Sequence, residues 1–142
     1  QWNSFESFLT FPEIHPSARR WESGTPNFYG YYAMKESVKY LLSVPAEEKE
    51  KLLFTRISFL REELRKRHAT FPAEIPAEHF SGIISFRFQN LDMPTLFRLL
   101  SERGVFASFR NNFIRLSPHF FTPMETLYEF LSLLDETLRA IR

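Results

Sequence analysis

Two adjacent asparagines, Asn111-Asn112, set between alternating apolar segments, constrain this chain more tightly than any other stretch. Asparagine tolerates the positive φ angles of a two-residue hairpin turn, so Val105–Arg110 and Phe113–Ser117 read as antiparallel strands joined by a minimal connection. Such a turn leaves one register, with Arg110 opposite Phe113, Phe109 opposite Ile114 and Ser108 opposite Arg115. Side chains then sort by parity. Val105, Ala107, Phe109, Ile114 and Leu116 fall on one face and suit a helical layer, whereas Phe106, Ser108, Arg110, Phe113, Arg115 and Ser117 fall on the other. Arg115 therefore points away from the expected core, where its planar pair of donors suits either a structural ion pair or a carboxylate ligand. Arg110, at the hairpin end, is either simply exposed or a contact for a second anionic group.

The flanking segments supply the rest of a small α+β sandwich. Ser81–Phe88 reads as a strand, with Ile84, Phe86 and Phe88 on an apolar face and Ser85 and Arg87 on a mixed one. Asn90-Leu91-Asp92 caps a helix through Arg103, with Leu96, Leu99 and Leu100 inward and Gly104 as its left-handed stop. Thr122, Pro123 and Glu125 start a last helix, whose stripe Met124, Leu127, Leu131, Leu134, Leu138 and Ile141 recurs at threes and fours. Upstream, Pro45 opens a helix with Glu47, Glu48 and Glu50 in its first turns and the stripe Leu53, Ile57, Leu60 and Leu64. Its other face, with Arg56, Arg61, Arg65, Lys66 and Arg67 beside Glu62 and Glu63, reads as solvated, the alternative being a nucleic-acid contact.

The N-terminal part has a different character. Trp2, Phe5, Phe8, Leu9, Phe11, Ile14 and Trp21 are too many large apolar groups for a solvated tail, and Pro12 and Pro16 break any lasting period. They are expected to bury against a large domain that precedes residue 1. A helix then runs from Pro26 to about Ser43, with Phe28, Tyr31, Tyr32, Val38, Leu41 and Leu42 spread around it, which predicts burial on more than one side. Thr25 caps it, Pro26 takes its first position and Gly24 permits close approach of whatever lies in front. The free N–H groups of such an end suit a phosphate, but the pentapeptide Ser23–Asn27 taken alone reads first as a plain cap. The expected organisation is a lead-in over residues 1–27 and a small domain with its connecting helix over 28–142.

Composition sets outer bounds. The 142 residues are 44% hydrophobic with a formal net charge of +1, which fits a globular chain and gives no electrostatic case for nucleic acid or an anionic membrane as main partner. No apolar run approaches the ~20 residues of a membrane span. Cysteine is absent, which excludes disulfides, thiolate metal sites and thiol catalysis by this chain and fits a cytoplasmic location.

Two motif regions carry a resemblance. Ala18-Arg19-Arg20-Trp21-Glu22-Ser23-Gly24-Thr25-Pro26-Asn27-Phe28 resembles the Arg-aromatic-Glu-small-Gly-Thr-Pro-Asn signature of class V, fold-type I pyridoxal-phosphate enzymes, which include cysteine desulfurases and isopenicillin N epimerase-like proteins. Ile114-Arg115-Leu116-Ser117-Pro118-His119-Phe120-Phe121-Thr122 is similar to the family's C-terminal Arg-x-Ser-Pro-His-Phe-Tyr-Asn run, with Phe121 and Thr122 where tyrosine and asparagine are usual. The resemblance implies the C-terminal small domain of an aminotransferase-like enzyme that works as a homodimer with pyridoxal 5'-phosphate. It implies further that Thr25 reaches the cofactor phosphate of the neighbouring subunit, with Gly24 beside it as a close-approach position, and that Arg115 binds the α-carboxylate of the amino-acid substrate; Arg110 is the candidate for a further anionic group of that substrate. The Schiff-base lysine of the family falls upstream of residue 1, so no catalytic residue and no metal ligand is assigned here, and the chain alone is expected to be inert. The two-residue Asn111-Asn112 loop leaves no place for a desulfurase's loop cysteine, which turns expectation toward transamination, epimerisation or elimination at the α-carbon. The competing expectation is a free-standing βαββα interaction module reading RNA with the Arg61–Arg67 helix and with Phe106 and Phe113.

Overall fold

The computed structural model describes residues 16–21, 24–76 and 79–141. The chain divides into two units, Gln1–Ser43 and Val44–Arg142. Expectations placed on Trp2 to Ile14 and on Glu22-Ser23 lie outside the described residues.

In the first unit a short 3-10 turn, Ala18–Trp21, precedes helix α1, Phe28–Leu42. The cap of α1 differs from expectation. Asn27, not Thr25, closes the end, its Oδ1 accepting the Gly30 N–H at 2.9 Å. Gly30 is what allows this, since a Cβ there would lie 2.6 Å from Asn27 Nδ2. Pro26 stands before the helix and its carbonyl accepts the Phe28 N–H. Within this chain none of the α1 residues is buried, and Tyr29, Tyr31, Tyr32 and Met34 are well exposed. Its aromatic pattern asks for covering surface.

The second unit holds helix α2 (Ala46–Lys66), strand β1 (Ile84–Phe86), helix α3 (Met93–Glu102), strands β2 (Ser108–Arg110) and β3 (Phe113–Leu116), and helix α4 (Met124–Ile141). Its sheet is antiparallel in the order β1-β3-β2. The β2–β3 register is the one read from the sequence, and Asn111 and Asn112 take φ of 50° and 64°. The outer strands are shorter than expected. Phe88 leaves the ladder to donate its N–H to Met93 Sδ, and only an isolated bridge between Thr70 and Arg87 extends β1.

Packing follows the apolar stripes. Ile57, Leu60 and Leu64 of α2, Leu96 and Leu100 of α3, and Leu127, Leu131 and Leu134 of α4 enclose Ile84, Phe86 and Ile114 of the sheet. Val105, Ala107, Phe109 and Leu116 border that core, on the face their parity predicted. Both α2 and α3 end in left-handed caps: His68 at φ 63° with Ala69 N–H bound to Leu64 O, and Gly104 at φ 84° with Val105 N–H bound to Leu100 O. Asp92 caps α3 as expected, accepting from Thr95. The Thr122 hydroxyl accepts the His119 N–H, bracing the loop that leads to α4.

One expectation about α2 is corrected. Arg56 and Arg61 are buried rather than solvated. Arg56 donates from Nε to Thr122 O and from Nη1 to Leu52 O, while Arg61 sits over the rings of Phe71 and Phe80 and donates to Ala73 O and Glu74. Long arginine stems bury readily when their heads find carbonyl and aromatic partners, which a periodicity count scores simply as charge.

Candidate functional site

With α2, α3 and α4 on one side, the sheet presents its other face as rows of side chains. The central row is Ser85, Arg115 and Ser108, one from each strand. The next row toward the hairpin holds Phe113 beside Arg110, and continuing the β1–β3 pairing by one residue adds Arg87. Arg115 is half-buried and so is Arg87, whereas Arg110 is exposed. No aspartate or glutamate belongs to these rows.

The arginines of the second unit thus divide into two populations. Arg56 and Arg61 are engaged as above, and Arg65, Arg67, Arg98 and Arg103 each donate to a carboxylate. Arg87, Arg110, Arg115 and, on α4, Arg139 meet no hydrogen-bond acceptor among the described residues, and the Nε atoms of both Arg61 and Arg87 are buried without a partner. Three of these, Arg87, Arg110 and Arg115, share one sheet face on which no carboxylate stands beside them. Carboxylates whose pKa values are lowered lie elsewhere, around α2, α4 and the loop after α2. Arg67 holds Asp135 below its ordinary range, Arg61 and then Arg65 do so for Glu74, and Lys66 and then Arg67 do so for Glu63.

In the first unit, Gly24 and Thr25 are exposed. A Cβ at Gly24 would meet nothing within 4 Å. Among the described residues the Thr25 hydroxyl and the amides of Thr25, Asn27 and Tyr29 have no partner, while those of Phe28 and Gly30 are engaged. The end is thus less open than a bare helix terminus. The sequence did not single out Arg87 or Ser85, because nothing in it told that β1 pairs with β3 rather than with β2; only the alternation of Ile84 to Phe88 placed them off the core.

A family profile described as Aminotransferase class-V matches residues 7–109. The chain belongs to the class V aminotransferase family. Among solved structures it is similar to a cysteine desulfurase from Thermococcus onnurineus NA1, with a TM-score of 0.74 and 17% identity over 87% of this chain and 34% of that one. It is similar as well to a NifS-like protein, with a TM-score of 0.67 and 27% identity over 90% of this chain and 39% of that one. The class V chain therefore spans well under half the length of these two neighbours, whose fold it shares. No curated protein matches significantly. Arg115 lies beyond the profile match, so its case rests on the sheet face itself. Among the described residues no helix is long and apolar enough to cross a membrane, and no group of three or more His, Asp or Glu side chains is placed to hold a metal ion.

Proposed function

We propose that this class V chain is the C-terminal part of a pyridoxal-phosphate-dependent enzyme acting at the α-carbon of an amino acid, with Arg115 as the receptor of the substrate α-carboxylate. The observation that carries the proposal is the half-buried, unpaired guanidinium of Arg115 at the centre of the sheet face, flanked across both ladders by the hydroxyl residues Ser85 and Ser108. A carboxylate there receives two parallel charge-assisted bonds from the fork, and neighbouring hydroxyls suit its remaining lone pairs. Held by that end, an amino acid is fixed in orientation, which is the contribution a binding arginine makes to rate.

The residues present fit the anionic ends of the cofactor and substrate, not the carbonyl end of the cofactor. Lys35, Lys39, Lys49, Lys51 and Lys66 all lie on α1 and α2, Lys39 pairing with Glu36 and Lys66 with Glu62 and Glu63, and none is buried. Pyridoxal phosphate supplies the electron sink that stabilises a carbanion at the α-carbon. This chain would hold its phosphate through the Thr25 hydroxyl and the exposed backbone at Gly24-Thr25, as a contact to the partner subunit of a homodimer, and would be inert without a lysine-bearing large domain. A sulfur relay through a cysteine of this chain is excluded, since it has none. The RNA-reading alternative loses support because Arg61, Arg65 and Arg67 are engaged by Phe71, Glu74, Glu63 and Asp135.

In the complete protein, Arg115→Ala should weaken amino-acid binding by roughly ten- to a hundredfold, the scale of a lost charge-assisted hydrogen bond. The absorbance of the bound cofactor, titrated with amino acid, reads this directly. An affinity unchanged within twofold would remove Arg115 from the role.

A further inference from the structure

We infer that the open sheet face holds a second anion site one row along from Arg115, so that the amino acid taken by this enzyme carries an acidic side chain. The inference rests on Arg115 receiving the α-carboxylate and adds a neighbour to it. Arg87, one residue past β1, and Arg110 of β2 stand on opposite sides of Phe113. The Arg87 guanidinium lies over the Phe113 ring, 5.0 Å from its centroid. Its buried Nε has no acceptor among the described residues. The Nε being covered, the Nη edge of this guanidinium is the part that can meet an incoming acceptor.

Beside Arg87, toward the loop that follows β1, is a polar hollow of about 280 Å³ lined also by Gln89, Asn90 and Asn112, whose amide groups can donate to an anion held by Arg87. The left-handed Asn111-Asn112 turn brings Asn112 there, and Asn90 is itself held at φ 61°. Spacing decides the class of ligand. Phe113 and Arg115 are two residues apart on one strand, about 6.8 Å, a step suited to a four- or five-carbon chain ending in two carboxylates. A monocarboxylate would satisfy Arg115 and leave the Arg87–Arg110 row uncompensated.

Calorimetric titration of the full chain at constant ionic strength, with glutarate and succinate against butyrate, tests this without requiring cofactor or turnover. Glutarate or succinate should bind roughly tenfold or more tightly than butyrate, the scale of one added charge-assisted contact. Arg110→Gln and Arg87→Gln should each bring that ratio toward one, whereas Arg98→Gln, which removes a donor to Glu102 on α3, should keep it. Circular dichroism confirms that each variant is folded, and Arg87→Lys, which retains a cation, should keep part of the ratio if Arg87→Gln proves unstable. Equal binding of glutarate, succinate and butyrate overturns the inference, as does a preference that survives in the Arg87→Gln/Arg110→Gln double variant. Inorganic phosphate bound through Arg87 and Arg110 with no dicarboxylate preference would assign the row to a phosphate and overturn the substrate class. Failure of Arg115 is separable, because Arg115→Gln would then leave butyrate binding intact.

Discussion

The guanidinium of Arg67 meets the Asp135 carboxylate with two parallel hydrogen bonds, Nε to Oδ1 at 2.7 Å and Nη2 to Oδ2 at 2.8 Å, tying the end of α2 to α4. A double-mutant cycle with Arg67→Ala and Asp135→Ala isolates this pair from the separate contact of Arg67 with Glu63. Exposed ion pairs contribute ~0.2–1 kcal/mol, and breaking fully buried ones costs ~3–5 kcal/mol. With side chains 21% and 34% exposed and fork-to-carboxylate geometry, this pair belongs near the top of the exposed range, so the expected coupling is about 1 kcal/mol after solvent screening. In urea unfolding, with a slope of ~1–2 kcal/mol/M, that is a midpoint difference of ~0.5–1 M. The pH dependence has a definite sign. Asp135 is held below its ordinary pKa chiefly by the hydrogen bonds from Arg67, so the contribution is present above the unfolded aspartate value of ~3.9 and is lost as pH falls through the lower folded value. A coupling below about 0.3 kcal/mol at neutral pH, within the error of ordinary additivity, or one that persists in strong acid, would refute this account.

Three further outcomes follow from packing and backbone geometry. Leu134, fully buried where α4 meets the core, should lose about 3 kcal/mol on truncation to alanine, read by urea denaturation. Gly104→Ala places a Cβ at φ 84° and should destabilise by ~1 kcal/mol, whereas Gly24→Ala, with open space around it, should change stability by less than ~0.5 kcal/mol. Replacing Asn112 by valine asks a β-branched residue to hold φ 64°, so the hairpin should lose ~1–2 kcal/mol while Asn112→Gly is tolerated, a contrast measurable by thermal melting.

The hairpin is legible in the sequence because a two-residue turn admits so few registers, and that register alone places Arg115 and Arg110 off the core. The ends of α3 were equally legible, since Asp92 and Gly104 act locally. The partnership of β1 with β3 was not, because it depends on a long-range pairing that no local signal encodes. Arg87 was passed over for that reason. Arg56 and Arg61 were misplaced because a charge pattern carries no information about the carbonyls of Leu52, Thr122 and Ala73 that receive them. His68 at the end of α2 shows the same limit, for it occupies a left-handed position usually given to glycine.

Helix α1 extends over fifteen residues without a single buried one. Isolated helices of that length are marginal in water, and most helical stability in proteins comes from packing an apolar face. Any surface that closes over Tyr31, Tyr32 and Leu41 would therefore supply much of the free energy that keeps this segment wound, and winding and docking become one thermodynamic event. The far-ultraviolet ellipticity of the segment is then a gauge of assembly. It should rise with the concentration of whatever covers it, and the heat capacity of association should be larger than rigid surfaces of the same area would give.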